Sequence, residues 1–289
     1  MAEPLIAVTG ATGVVGGLAA ARLAERGARL RLVVRNPARA PELPGAEVRQ
    51  AAGYADRDAM QAALDGAHTL LLVPAEEAVD RVDHHRAAVD AAVAAGVRRI
   101  VYISFLGAAP DATFTLVHDH WATEEHIRAA GIAWTFLRMN LYLDFIPSMV
   151  LSSGELAGPA GDGRVAAVTR SDLADVAAAV LLDDTHDGRA LDVTGARAFS
   201  FAEAAGEMAA LSGRRIVYRD ETLEEARASR AGYGVPDWQV EAWISTYAAI
   251  AAGELDVVSD TVERLTGHAP ATLADYVRAH PESLGHVTG

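Results

Sequence analysis

Thr9–Gly17 reads TGATGVVGG and directly follows the apolar run Leu5–Thr9, LIAVT. Gly10, Gly13 and Gly16 recur at every third position, and from Val14 to Arg26 the apolar residues take helical spacing. A glycine-rich turn between a buried strand and a helix has a defined physical use. Gly10 permits the tight turn, Gly13 lets the backbone approach an anion, and Gly16 lets helix and strand pack closely. The free N–H groups at the helix start, around Thr12, Val14 and Val15, then face a bound pyrophosphate. The motif predicts a dinucleotide site; the alternative is a strand-to-helix turn that holds no ligand.

Outward from this loop, the first half alternates two kinds of segment. Short runs rich in Val, Ile and Leu occur at Leu5–Thr9, Leu30–Val34, Val48–Gln50, Thr69–Val73, Ile100–Ser104 and Ala133–Arg138. Helical patterns lie between them near Val14–Arg26, Asp58–Leu64, Val82–Ala95 and His118–Ala130, with Gly27, Gly66, Gly96 and Gly131 where helices should stop. Near-continuous apolar strands alternating with helices predict a parallel sheet covered on both faces, a Rossmann-type doubly wound α/β fold. After about residue 140 the rhythm changes. Ser152–Gly163, SSGELAGPAGDG, reads as a loop, and shorter strands mix with helices to the end. The expected division is a nucleotide-binding domain over 1–150 and a smaller C-terminal α/β lobe over 151–289. Part of the later chain is expected to return to the sheet.

Composition narrows the chemistry. The 289 residues are 51% hydrophobic and 22% charged, enough apolar content for a sizeable core. The net charge of −14 argues against a nucleic-acid partner. All 25 basic residues are Arg, and Lys and Cys are absent. Schiff-base catalysis, a P-loop, thiolate nucleophiles and Cys-bound metals are therefore excluded. No run of 18 apolar residues and no signal-like start is visible, so a cytoplasmic protein without a membrane partner is expected, as monomer or homodimer.

The end of the second strand bears on which dinucleotide binds. NAD sites place an acid about 20 residues past the glycine loop, for the ribose 2′-hydroxyl. Here the sequence is LVVRNPARA, with Arg35 at that place and Arg39 four residues on. A guanidinium suits a 2′-phosphate, which predicts NADP(H) in preference to NAD(H). The alternative for each is a solvated loop arginine, which Arg39 fits as readily and Arg35 less so.

TGATGVVG, VVRNPARA, and His120-x-x-Thr123-Glu124 before AAGIAWTFLR together resemble the NmrA-like, atypical branch of the short-chain dehydrogenase/reductase superfamily. Within it the chain is most similar to type-two NAD(P)H:quinone oxidoreductases and triphenylmethane-dye reductase, over nearly its whole length. The resemblance implies that Val73 and Pro74 pass near the adenosine ribose. It implies Ser104, Phe105 and Leu106 beside the nicotinamide ribose, and Arg138 to Leu141, including Asn140, flanking the nicotinamide. The rule that ligands bind outside the carboxyl ends of the strands gives the same places. The chain departs from the family after the third strand. An Asp is usual near the adenine, but Ala52 and Gly53 stand here, leaving Asp56 as a candidate substitute.

The superfamily's better-known branch protonates its product with a Tyr-x-x-x-Lys pair. None of the seven Tyr has Lys four residues on. Hydride addition to a simple ketone gives an alkoxide that needs a positioned acid, whereas a quinone gives a stabilised anion that water can protonate. The pattern therefore favours conjugated, electron-poor aromatic acceptors. The candidate polar groups at the reacting end are Tyr142, His120 and Ser104. Tyr142 either orients a substrate oxygen or packs as a pocket wall. His120 and Glu124, four apart on one helix, are expected either to fix the helix start or to pair at the pocket border. No metal site is expected from His118, His120 and Glu124. His84 and His85 are expected in solvent, Trp134 in the core, and Trp238 and Trp243 either as a lid or as ordinary lobe packing. Two functions fit: an NADPH-dependent reductase of quinone-like acceptors, with conjugated ketones or imines as a variant, or a non-catalytic NADP-binding sensor.

Overall fold

The structure, a computed structural model, describes residues 3–288. The elements are β1 (Ile6–Thr9), α1 (Val14–Glu25), β2 (Leu30–Val34), β3 (Glu47–Gln50), α2 (Arg57–Leu64), β4 (Thr69–Leu72), α3 (Arg81–Ala94), β5 (Arg99–Phe105), α4 (Val117–Ala129) and β6 (Ala133–Met139). They continue with β7 (Glu155–Gly158), β8 (Arg164–Val165), α5 (Arg170–Leu181), β9 (Arg189–Val193), β10 (Phe199–Ser200), α6 (Phe201–Ser212) and β11 (Val217–Asp220). The last helices are α7 (Leu223–Arg230), α8 (Asp237–Ala251), α9 (Thr261–Thr266) and α10 (Leu273–Ala279).

Seven parallel strands form the central sheet in the order β3-β2-β1-β4-β5-β6-β9. Alternation along each strand explains the apolar runs. Ile6, Val8, Leu32, Leu71, Val101 and Leu137 face one core with α1 and α5. Ala7, Val33, Leu70, Leu72, Ile100 and Phe136 face a second core with α2, α3 and α4. Both faces of the central strands are covered, so their successive residues are mostly apolar, while the edge strand β3 is largely exposed. Gly27, Gly66, Gly96 and Gly131 each fall two residues beyond a helix end.

The later chain is more interwoven than a division at residue 150 suggests. α5 packs on α1, and β9 pairs with β6 inside the main sheet. The remaining lobe closes a third core around Phe199, Phe201, Met208 and Tyr247. The loop expected over Ser152–Gly163 is corrected: it contains β7, which pairs in parallel with β11. Gly and Pro mask this strand because its partner lies about sixty residues away.

Candidate active site

The order of the central sheet reverses its direction of growth between β1 and β4, the crevice where doubly wound sheets bind ligands. The loops after β2, β1, β4, β5 and β6 stand side by side there. Four strand spacings carry this row of loops over roughly 19 Å.

The glycine loop leads the site. Gly10 has φ +64° and crosses so close to β4 that a Cβ would lie 2.9 Å from Val73 Cβ. A Cβ on Gly16 would lie 2.4 Å from the Gly10 carbonyl oxygen, so only glycine fits that contact. Gly13 is the residue before α1, and neither a side-chain cap nor an acid in the first turn neutralises that helix start. Its positive end and free N–H groups stay available to an anion. Thr12, Gly13 and Val14 are exposed around it; Val15 is buried. The cradle thus fits a pyrophosphate, with Gly13 leaving room for close approach.

The loop is braced from below. The Thr9 hydroxyl donates to Leu71 O at 3.1 Å and accepts from Val73 N–H at 3.0 Å. The phenol of half-buried Tyr54 bridges Thr9 Oγ1, at 2.7 Å, and the Val73 carbonyl. Burial pushes the Tyr54 phenol's pKa far above its ordinary value, so it stays a proton-bearing donor. Asp56 caps α2 by accepting from Ala59 N–H at 3.1 Å and is exposed. Arg35 and Arg39 are exposed past β2. Gln50 Nε2 holds the Arg35 carbonyl at 3.1 Å, and Arg35 Nη1 lies 3.7 Å from Glu76 Oε1.

Past β4, Val73 and Pro74 are half-buried, and the next residue is held by a histidine. His85 Nε2 accepts from Ala75 N–H at 2.9 Å, while Nδ1 donates to Thr123 Oγ1 at 2.8 Å. That hydroxyl in turn donates to the Asp119 carbonyl. The expectation of a solvated His85 is therefore corrected: its side chain has no exposure. Burial, with the Arg81 charge, pushes His85 down to about 3, so it is neutral near pH 7. His84 remains partly exposed and lies 3.2 Å from Asp80.

At the ends of β5 and β6 lies a buried polar knot, and the His120–Glu124 pairing, one of the two readings of the sequence, is not formed. Glu124 accepts from Ser104 Oγ at 2.6 Å, Arg138 at 2.9 and 2.7 Å, and Arg128 at 2.9 Å. His120 instead faces Tyr102, with Nδ1 2.9 Å from the phenol oxygen. Sharing a helix face did not bring His120 and Glu124 together, because each met a different strand residue. Burial, with Arg81 nearby, holds His120 well below the ordinary histidine range. Phe105 and Leu106 are buried, with Phe105 edge-on to Phe114 at 5.1 Å. Asn140 is fully buried; its amide nitrogen donates to Leu255 O at 3.0 Å and its oxygen accepts from Leu141 N–H at 2.7 Å. Leu141 is half-buried against the lobe core.

Tyr142 follows, half-buried, with the Arg170 guanidinium 5.6 Å from its ring centre. Burial pushes its phenol up to about 12. Phe145, three residues on, is 53% exposed and was not singled out by sequence. His118 Nε2 lies 2.8 Å from Ala112 O, so His118, His120 and Glu124 point at three different partners. Among the described residues, the grouping that could hold a metal is Asp172, Asp175 and His268. There Thr169 and the Ala271 N–H bond Asp172 Oδ2, and Arg22 bonds Asp175 Oδ1.

The second lobe reaches the same row of loops through α8. Gln239 Nε2 and Trp243 Nε1 both donate to Glu77 Oε2, at 2.8 and 3.0 Å, on the loop that follows Pro74. Trp243 also lies against Tyr233, whereas Trp238 is 36% exposed. Trp134 is half-buried rather than enclosed, stacked on Phe136 at 4.1 Å with Arg128 above it.

The family described as NAD(P)H-binding matches residues 10–184. The chain belongs to that family. It is 34% identical to quinone oxidoreductase 2 of Escherichia coli K12 over 280 residues, 94% of this chain and 97% of that protein. It is 31% identical to NAD(P)H azoreductase of Xenophilus azovorans over 285 residues, 97% of this chain and 99% of the relative. Among solved structures, the E. coli quinone oxidoreductase complexed with NADPH superposes with a TM-score of 0.88 at 33% identity, covering 95% and 99% of the two chains. Triphenylmethane reductase of Citrobacter sp. complexed with NADP(H) gives 0.86 at 33%, with the same coverage. The resemblance read from the sequence and the α/β sheet are both supported by these matches.

Proposed function

We propose that the chain is an NADPH-dependent oxidoreductase that passes hydride to a quinone-like or other conjugated, electron-poor acceptor. The observation that carries the reading is an open dinucleotide cradle joined to a reacting end whose titratable groups are poor proton donors. His120 is neutral and Tyr142 is pushed up to about 12. A catalytic acid works best with a pKa near the working pH, and neither residue has one. The NADPH-bound relatives named as quinone and dye reductases support the same reading.

When bound, the dinucleotide supplies the hydride, and the protein's part is binding and orientation. The start of α1 and Gly13 hold the pyrophosphate, with Thr12, Val14 and Val15 around it. Arg35 binds the 2′-phosphate, and Arg39 is near enough in sequence to assist. Val73 and Pro74 border the adenosine ribose. Ser104, Phe105 and Leu106 form the floor at the nicotinamide ribose, and Arg138, Asn140 and Leu141 its far wall. Glu124 keeps Arg138 and Ser104 in place, so Ser104 acts through position rather than as an acid. Tyr142 and Phe145 offer rings to a flat acceptor.

The site belongs to a cytoplasmic protein acting on small aromatic molecules, as monomer or homodimer. Loss of the NADPH absorbance band with a panel of quinones, an azo dye and an aliphatic ketone tests the reading. Turnover is expected with the quinones and not with the ketone. NADPH that binds but is consumed by none of them would leave a sensor in its place.

A further inference from the structure

We propose that Glu76 weakens the preference for NADPH over NADH by opposing the 2′-phosphate at Arg35. The proposal rests on the assignment of Arg35 to that phosphate. Arg35 leaves β2 and Glu76 leaves the loop after β4; the two strands flank β1 on opposite sides. Their side chains meet over the end of β1, beside the glycine loop, at 3.7 Å. Arg35 is 72% exposed and Glu76 is 80% exposed.

NAD sites in this kind of fold use an acid for the ribose 2′-hydroxyl, supplied from the second strand. Here the second strand supplies the cation, and the acid arrives from the β4 side. The site therefore holds both an NADP-type and an NAD-type group. An exposed ion pair is weak and exchanges partners readily. A 2′-phosphate takes the guanidinium through two parallel hydrogen bonds, a better partner than one carboxylate oxygen. Glu76 is then left beside a group of the same sign. With NADH the carboxylate can accept from the 2′-hydroxyl, and Arg35 keeps its pairing. The carboxylate thus works against one cofactor and not the other.

Glu76→Gln removes the charge from an exposed side chain and keeps its shape. Titration of the purified protein with NADPH and with NADH, at low and high salt, reads the effect. Glu76→Gln is expected to tighten NADPH about three- to tenfold at low salt, with NADH unchanged or weaker. The gain should shrink as salt screens the charges. An unchanged ratio of the two affinities, an equal shift of both, or a gain insensitive to salt would each overturn the proposal. Arg35→Ala is titrated alongside. Equal loss of both cofactors in that variant would remove Arg35 from the phosphate site, a result separate from the Glu76 ratio.

Discussion

Glu124 takes Nε and Nη2 of Arg138 on its two carboxylate oxygens, at 2.9 and 2.7 Å, while its own side chain has no exposure. Ser104 and Arg128 complete its shell. Removing one member of a buried ion pair strands the others, at a cost of about 3–5 kcal/mol. Glu124→Ala is expected to lower the unfolding free energy by that amount in a urea titration, and Glu124→Gln by less. A loss under about 1 kcal/mol would mean that both arginines find water instead.

The two glycines of the loop should fail differently. Gly16→Ala puts a Cβ 2.4 Å from the Gly10 oxygen, so the loop must move and stability falls. Gly13→Val brings its Cβ to 3.3 Å from the Gly10 oxygen, a tight contact but the single one within 4 Å, against 2.4 Å at Gly16. That protein should fold and lose NADPH binding, because the branch fills the volume of the pyrophosphate. Circular dichroism with a cofactor titration separates the two; normal NADPH binding by folded Gly13→Val would reduce the loop to a plain turn.

Tyr142→Phe keeps the ring and deletes a hydroxyl whose pKa is about 12. Turnover of a good quinone should fall less than about tenfold, since general-acid catalysis is worth about 10²–10⁴-fold where it operates. A drop in kcat beyond about a hundredfold with NADPH affinity intact would identify Tyr142 as the acid. It would also shift the substrate towards ketones or imines.

His85 makes stability depend on pH. Its pKa is about 3 in the fold against 6.5 when unfolded, so between those values the unfolded chain binds the extra proton. Stability from this residue is therefore complete above pH 6.5 and lost as pH falls toward 3. By pH 5 the loss is about 2 kcal/mol, at roughly 1.4 kcal/mol per unit. The measurement is the unfolding free energy at pH 7.5 and pH 5 for the native protein and His85→Gln. Equal pH slopes in the two would exclude His85 as the source.

Much of the frame was legible because a parallel sheet dry on both faces leaves its mark locally. The central strands β1, β2, β4 and β5 are largely apolar runs, α1 to α4 each stop two residues before a glycine, and Arg35 is placed past β2 by counting from the glycine loop. What escaped depends on partners distant in sequence. Nothing in VDHHRAAVD says that His85 turns inward and His84 does not; the 3.6-residue repeat there is blurred by alanines. Glu124 meets Ser104 twenty residues back and Arg138 fourteen residues on. The bond from Trp243 to Glu77 spans 166 residues, and no local pattern could decide between lid and lobe packing. The α8 helix is tied to the cofactor side, which the two tryptophans alone did not reveal.

The return of β9 to the main sheet has a consequence for anyone dividing the chain. A fragment ended near residue 150 would keep β6 but strip it of the neighbour on its outer side. The backbone groups of Thr135–Met139 that face Arg189–Val193 would be left unpaired, on a strand as apolar as Phe136 and Leu137 make it. Such a strand offers a template for pairing with another copy. The same cut removes α5 from against α1, uncovering the core of which Val15 and Leu23 are part. An isolated nucleotide-binding half should therefore precipitate, and a useful minimal unit must run at least through Val193.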